Sequence, residues 1–258
     1  MMKYIKSLCI LCAGAFLFTA CNKPDMYTVL DVTYTGGNTN VKVVHASAFA
    51  RNDTMRFKVN DTLVSGKITY STPFPGGGLN TGGSNVPWYL SIPAGKKKIS
   101  LWSTKIGTFQ DSVEVVSRMV EYGADVYYTT YIADTGVNTL MLTFGENRTM
   151  PANGTSRFKF INLIPNLPAA DLYYNTTLVA SNIPYGFGGP DFIQNKNDTC
   201  RWRIRPAGAS PTSAALATYP ATTAATQVIP NQRIFTVYSR GYVGGTGNRV
   251  PAISLTFN

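Results

Sequence analysis

Asn175–Tyr185 reads N-T-T-L-V-A-S-N-I-P-Y, and Asn60–Tyr70 reads almost the same, N-D-T-L-V-S-G-K-I-T-Y. Asn, Thr, Leu, Val, Ile and Tyr fall at matching places without a gap. A repeat this long predicts one folding unit written twice. In each copy an alternating run precedes the motif: Met55-Arg56-Phe57-Lys58-Val59 and Asp171-Leu172-Tyr173-Tyr174. Alternation is the signature of a strand with one buried face, and an Asn at its end tolerates the positive φ of a tight hairpin.

Further matches extend the two units. Val41–Ser47 and Phe158–Leu163 open them as half-buried strands. Pro93-Ala94-Gly95 recurs as Pro206-Ala207-Gly208, which aligns the strand Val86–Ile92 with Cys200–Arg205. On that alignment the inward faces differ by one residue, so a bulge is expected in one copy. Val126–Tyr131 pairs with Ile234–Ser239, and Leu140–Phe144 with Ile253–Phe257. About seven short strands per copy, separated by frequent turns, give a two-sheet antiparallel sandwich, since strands this short must pack face to face. The expected units are residues 41–145 and 156–258, joined across Glu146–Thr155.

Composition agrees with an all-β chain. Only 14% of the 258 residues are charged, while 44% are hydrophobic, enough for two cores. The formal charge of +10 falls to +8 if a leader holding Lys3 and Lys6 is removed. Clustered basic and aromatic motifs are missing, so no nucleic-acid partner is expected. Residues 1–20 have the form of a secretory signal: Lys3 and Lys6, an apolar run Leu8–Phe18, then small Thr19-Ala20. Leu17-Phe18-Thr19-Ala20-Cys21 resembles a lipobox of the type found in Bacteroidota, with Phe18 where Leu is usual. That resemblance makes Cys21 the lipidation site and residues 21–40 a tether, with the bilayer as first partner. Asn22 lacks the Asp of an inner-membrane retention signal, which points to the outer membrane, facing either the periplasm or the medium. Cys9 and Cys12 belong to the leader, so Cys200 is left without a disulfide partner in the mature chain.

Val43-Val44-His45-Ala46-Ser47, the Asn-Asp-Thr-Leu-Val turn, Ile183-Pro184-Tyr185-Gly186 and Pro93-Ala94-Gly95 together resemble the DUF4397 family. The resemblance implies two tandem immunoglobulin-like sandwiches in a secreted or anchored bacterial protein. It carries no functional residue with it, and the second copy has Asn162-Leu163-Ile164 in place of His-Ala-Ser.

The residues themselves offer few chemical candidates. His45 is the chain's one histidine and reads as a structural polar residue. Cys200 reads as a small buried hydrophobe. Arg201, Arg203 and Arg205 would stand in a row roughly 7 Å apart on one sheet face, a geometry that suits carboxylates, sulfates or phosphates. Trp102, in phase with Lys98 and Ser100, would face outward and offer a plane to a sugar ring or a neighbouring domain. Lys96-Lys97-Lys98 reads as an edge guard. Gly76-Gly77-Gly78 and Gly186-Phe187-Gly188-Gly189 are loops, since no Lys-Ser/Thr and no helix follows. Asp53-Thr54-Met55, Asp61-Thr62-Leu63 and Asp111-Ser112-Val113 resemble the O-glycosylation sequon of Bacteroidota. No metal, cofactor or enzymatic activity is expected. The reading is a membrane-anchored envelope lipoprotein acting as a binding, adhesion or spacer module, or alternatively an accessory glycan-binding lipoprotein of an uptake system, with a glycan or another envelope protein as second partner.

Overall fold

The computed structural model describes residues 37–49, 54–84, 86–104, 111–221 and 227–258, which belong to one compact unit. The first half contains β1 (Asn38–His45), β2 (Thr54–Val59), β3 (Thr62–Leu63), β4 (Ile68–Thr69), β5 (Pro73–Phe74), β6 (Gly78–Leu79), β7 (Leu90–Pro93), β8 (Gly95–Thr104), β9 (Asp111–Tyr122), β10 (Tyr127–Asp134) and β11 (Thr139–Gly145). The second contains β12 (Thr155–Ile161), β13 (Ala169–Tyr174), β14 (Thr177–Pro184), β15 (Phe192–Asn195), β16 (Asn197–Cys200), β17 (Trp202–Pro206), β18 (Ala217–Tyr219), β19 (Gln227–Ile229), β20 (Ile234–Arg240) and β21 (Ala252–Phe257). Leader, Cys21 and most of the tether lie outside the described residues.

The chain is all-β, and pairings repeat between the halves. In the first, β11-β10-β1-β5, with β7 also on β1, faces β3-β2-β8-β9. In the second, β15-β12-β20-β21 faces β14-β13-β17-β18. The two sheets that hold β1 and β12 are mixed, because β1 runs parallel to β10 and β12 to β20, while the sheets of β2 and β13 are antiparallel. Each pair of sheets encloses a core. Val41, Val43, Met55, Phe57, Ile99 and Leu101 fill the first. The second is more aromatic, with Phe158 stacked on Phe192 and Phe235 and tilted against Trp202 at centroid distances of 5.7, 5.0 and 5.0 Å.

The second opening strand, β12, alternates as a half-buried strand should, with Phe158 and Phe160 inward and Lys159 partly exposed, but the first does not. Val41–Ser47 is buried throughout, as is all of β20. Their inner faces meet the cores, while their outer faces meet each other. Val44, Ala46, Tyr131 and Ala133 of the first half pack on Ile161, Leu163 and Tyr238 of the second. The two central sheets therefore lie back to back, and strands covered on both faces lose the alternation of a one-sided sheet.

The hairpin of the repeated motif forms as its sequence requires. Asn60 and Asp61 both take positive φ, 47° and 65°, and Asn175 takes 53°. The Pro-Ala-Gly match, by contrast, joins unlike places. Pro93-Ala94-Gly95 carries the chain from β7, beside β1, to β8, beside β2. Pro206-Ala207-Gly208 follows β17, which already lies beside β13. The counterpart of β17 is thus β8, and that of β15 is β7. Hydrogen bonds fix this register. Asn60 N donates to Lys98 O (2.8 Å) and Lys98 N to Asn60 Oδ1 (3.0 Å). Asn175 N donates to Arg201 O (2.8 Å) and Arg201 N to Asn175 Oδ1 (2.9 Å). Lys98 stands where Arg201 does and Trp102 where Arg205 does, so no bulge is needed to reconcile the copies. The later matches also shift by one residue: Thr129 faces Lys42 as Thr236 faces Lys159, which sets Tyr131 level with Tyr238.

The Gly-rich excursion of the first half is not a free loop. β6 adds to the edge of β21, with Leu79 opposite Leu255 and Gly78 opposite Thr256. A Cβ on Gly78 would lie 2.7 Å from Leu255 O and 2.6 Å from Thr81 Oγ1, so the strand approaches only because the side chain is missing.

Candidate functional site

The sequence singled out the outer face of β8 and β17, and that face is largely satisfied by its own half. In the first half Lys98 reaches Asp61 at 2.8 Å and Glu114 at 3.3 Å. Trp102 gives its Nε1–H to Ser100 Oγ (3.0 Å), and Lys58 Nζ sits 3.8 Å from its ring centroid. The plane offered to a sugar therefore carries a lysine of the same sheet. In the second half Thr176 replaces Asp61. The row Arg201, Arg203, Arg205 turns instead to backbone carbonyls, those of Pro220 and Ala221, of Asn175, and of Ser213. Arg205 is buried and lies 4.8 Å from the Tyr173 ring. This is the same diagonal contact as Lys58 on Trp102, with cation and ring exchanged. Asp171, across from Arg205, accepts from Asn182 N and Gly208 N. Burial first, then the like charges of Arg201 and Arg205, hold the Arg203 pKa below its ordinary value.

Other candidates are structural. Cys200 is a buried thiol whose pKa burial pushes up to about 12, far from the reactive range. Gly188 and Gly189 sit against Ile161 and Ile183 beneath the junction. Thr62 is exposed, as a modification site requires. Among the described residues no group of His, Cys, Asp and Glu has the arrangement of a metal site, and no helix is long and apolar enough to cross a membrane.

Two polar clusters that sequence reasoning missed lie between the halves. The first is centred on Asp134, at the end of β10 and 1% exposed. Its Oδ2 accepts from Ser47 Oγ (2.7 Å) and Phe49 N (3.3 Å), and its Oδ1 from Gly136 N (2.7 Å) and the Tyr242 hydroxyl. The Tyr185 hydroxyl donates to its carbonyl. Ser47 and Asp134 thus bring a hydroxyl and a carboxylate together, but both are buried and the carboxylate is occupied by four donors. Nearby, Tyr70 lies edge-on to His45 and beneath two guanidiniums of the second half, Arg240 and Arg249, at 5.1 and 4.9 Å. Arg249 also donates to Ala48 O, and Arg240 to Asn80 O. Tyr70 and Tyr185 close the repeated motif. Each is received by the other half, a role its spacing alone does not reveal.

The second cluster surrounds Lys42. This side chain is fully buried, 4.2 Å from the Tyr89 ring centroid, and its Nζ donates to Phe257 O. Desolvation lowers its pKa to about 7, opposed by Glu146 and helped by Arg148. Glu146 is held above the usual carboxylate range, chiefly by desolvation. Asn258 Nδ2 donates to Glu146 Oε2 (2.9 Å) and Thr236 Oγ1 (2.8 Å). Its Oδ1 is buried and has no hydrogen-bond partner among the described residues. A cavity of about 10 Å³, room for roughly one water, lies beside Glu146, Lys159, Asp191, Thr236 and Asn258. The signal available in the sequence was a lysine flanked by Val41 and Val43-Val44 on a strand that proves to be covered on both faces.

Residues 39–170, just over half of the chain, match the model of the family described as Domain of unknown function (DUF4397). The match runs through β1–β12 and ends at the second residue of β13. No curated protein matches the chain.

Proposed function

This chain belongs to the DUF4397 family, and we propose that it works as a non-catalytic spacer or binding module of the cell envelope, built from two tandem immunoglobulin-like copies and held to the outer membrane by an acylated Cys21. The junction between the halves supports this reading. Buried Val44, Tyr131, Ile161 and Tyr238, the strand β6 and the Asp134 contacts all resist bending, as a spacer needs. Ser47 and Asp134, a hydroxyl and a carboxylate side by side, are turned inward, and the carboxylate is fully occupied. Metabolic labelling with an alkyne fatty acid tests the anchor. The full chain should take up label and fractionate with outer membrane, and Cys21→Ala should lose both properties. A wild-type chain that stays unlabelled refutes the anchor.

A second reading, an accessory glycan-binding lipoprotein, draws on the three arginines. Lys98 has two carboxylates beside it, whereas the arginine row has carbonyls and no acid in ion-pair range among the described residues. An anionic glycan array should then bind the full chain, and Arg201→Gln with Arg203→Gln should reduce that binding at least tenfold. An unchanged profile removes this reading.

A further inference from the structure

We propose that the side chains of Lys42 and Asn258 join in an intramolecular isopeptide bond, with Glu146 carrying the protons, so that β1 of the first half is covalently tied to the residue after β21 of the second. The juxtaposition carries the inference. Lys42 Nζ donates to Phe257 O, the carbonyl of the peptide group that leads into Asn258. The Asn258 side-chain nitrogen is 2.9 Å from Glu146 Oε2, within reach for proton transfer. Its carbonyl oxygen is buried without a partner among the described residues. A fully buried lysine and a buried amide acceptor left unpaired are both costly arrangements for side chains that merely pack. Converting the amine to a neutral amide removes the need to bury a charge.

The reaction balances without an oxidant or co-reactant. The neutral Lys42 amine attacks Cγ of Asn258, forming a C–N bond as the carbonyl electron pair moves to Oδ1. Glu146, in its acid form, gives its proton to Nδ2, and the attacking nitrogen returns one proton to the carboxylate. The carbonyl re-forms, the Cγ–Nδ2 bond breaks, and ammonia leaves, the small cavity beside Asn258 being of a size to receive it. Burial favours both starting forms, since an ammonium has no lone pair and a carboxylate no proton to give. The flat face of Tyr89 lies over the amine, and the lysine is fully buried, which keeps bulk water away.

Peptide mass spectrometry of the purified full chain decides the matter. Trypsin should fail to cut after Lys42. A branched peptide should appear, joining the segment that ends at Arg51 to residues 250–258 and lighter than the sum of its parts by one ammonia. Glu146→Gln keeps the side-chain shape, so it should fold with native circular dichroism yet yield the two peptides separately. Asn258→Ala should do the same. Folded wild-type protein that is cut at Lys42 and releases unmodified 250–258 overturns the proposal, as does ammonia loss located elsewhere. A branched peptide that persists undiminished in Glu146→Gln overturns the role given to Glu146.

Discussion

Replacing Asp134 with Asn should be among the most damaging conservative changes in the chain. The carboxylate accepts four donors, two on each oxygen, while 1% exposed. An amide offers one oxygen in place of two. Turned either way, its NH₂ meets a backbone N–H, that of Phe49 or that of Gly136, which is left unpaired. Hydrogen bonds to a buried charge contribute about 1.5–3 kcal/mol each, and an orphaned donor costs a further 1–3. Allowing for rearrangement of the Ser47 and Tyr242 hydroxyls, the expected loss is about 3–5 kcal/mol. For a chain of this size that corresponds to a fall in Tm of roughly 6–20 °C. Tyr242 belongs to the second half, so a double-mutant cycle with Tyr242→Phe reads the contact across the seam. A coupling of about 1.5 kcal/mol or more is expected, within a single unfolding transition. Urea and thermal melts followed by tyrosine fluorescence supply both numbers. An Asp134→Asn loss below about 1 kcal/mol, or a cycle that closes to zero, would refute the reasoning.

Gly78→Val should weaken the join by about 1–3 kcal/mol or more, because the new side chain meets Leu255 O and Thr81; melting curves that overlay the parent would count against the close approach. Lys42 gives a pH signature. In Asn258→Ala the amine stays unacylated, beside Tyr89, Glu146 and Arg148, with its pKa near 7 against an ordinary 10.5. The unfolded chain then holds a proton that the folded one has shed. Stability should therefore rise between about pH 7 and pH 10.5, by at most about 1.4 kcal/mol per unit. The wild-type chain, if cross-linked, should lack that rise. Cys200 should be silent to a thiol reagent in the folded protein and react once denaturant unfolds it; rapid reaction under native conditions would contradict its burial.

Local features were readable in advance because local forces set them. The Asn60-Asp61 hairpin, the alternating faces of β2 and the apolar cores between the sheets follow from φ preferences and period-two burial. The errors share a different origin. Pro-Ala-Gly is a good turn wherever a strand must stop, so its recurrence marked chemistry and not position. The one-residue slip on β10 arose where Tyr and Thr crowd both copies, and that on β11 because Leu-Thr-Phe recurs one place out of register. The seam escaped entirely. Lys42, Asp134 and Glu146 look like solvated charges until two sheets stack back to back, and their partners lie far along the chain: Asp134 meets Tyr242, and Lys42 meets Phe257.

The strand that the Gly-rich excursion lends to β21 bears on how the protein can be cut and recombined. A gene fragment beginning at the apparent boundary near residue 150 would encode a lobe whose outermost ladder has lost its neighbour, leaving Leu255 and Thr256 bare at a sticky rim. Neither lobe is a cassette to be shuffled alone, and an inheritance event that kept the second without the first would have had to invent a new cover for that rim.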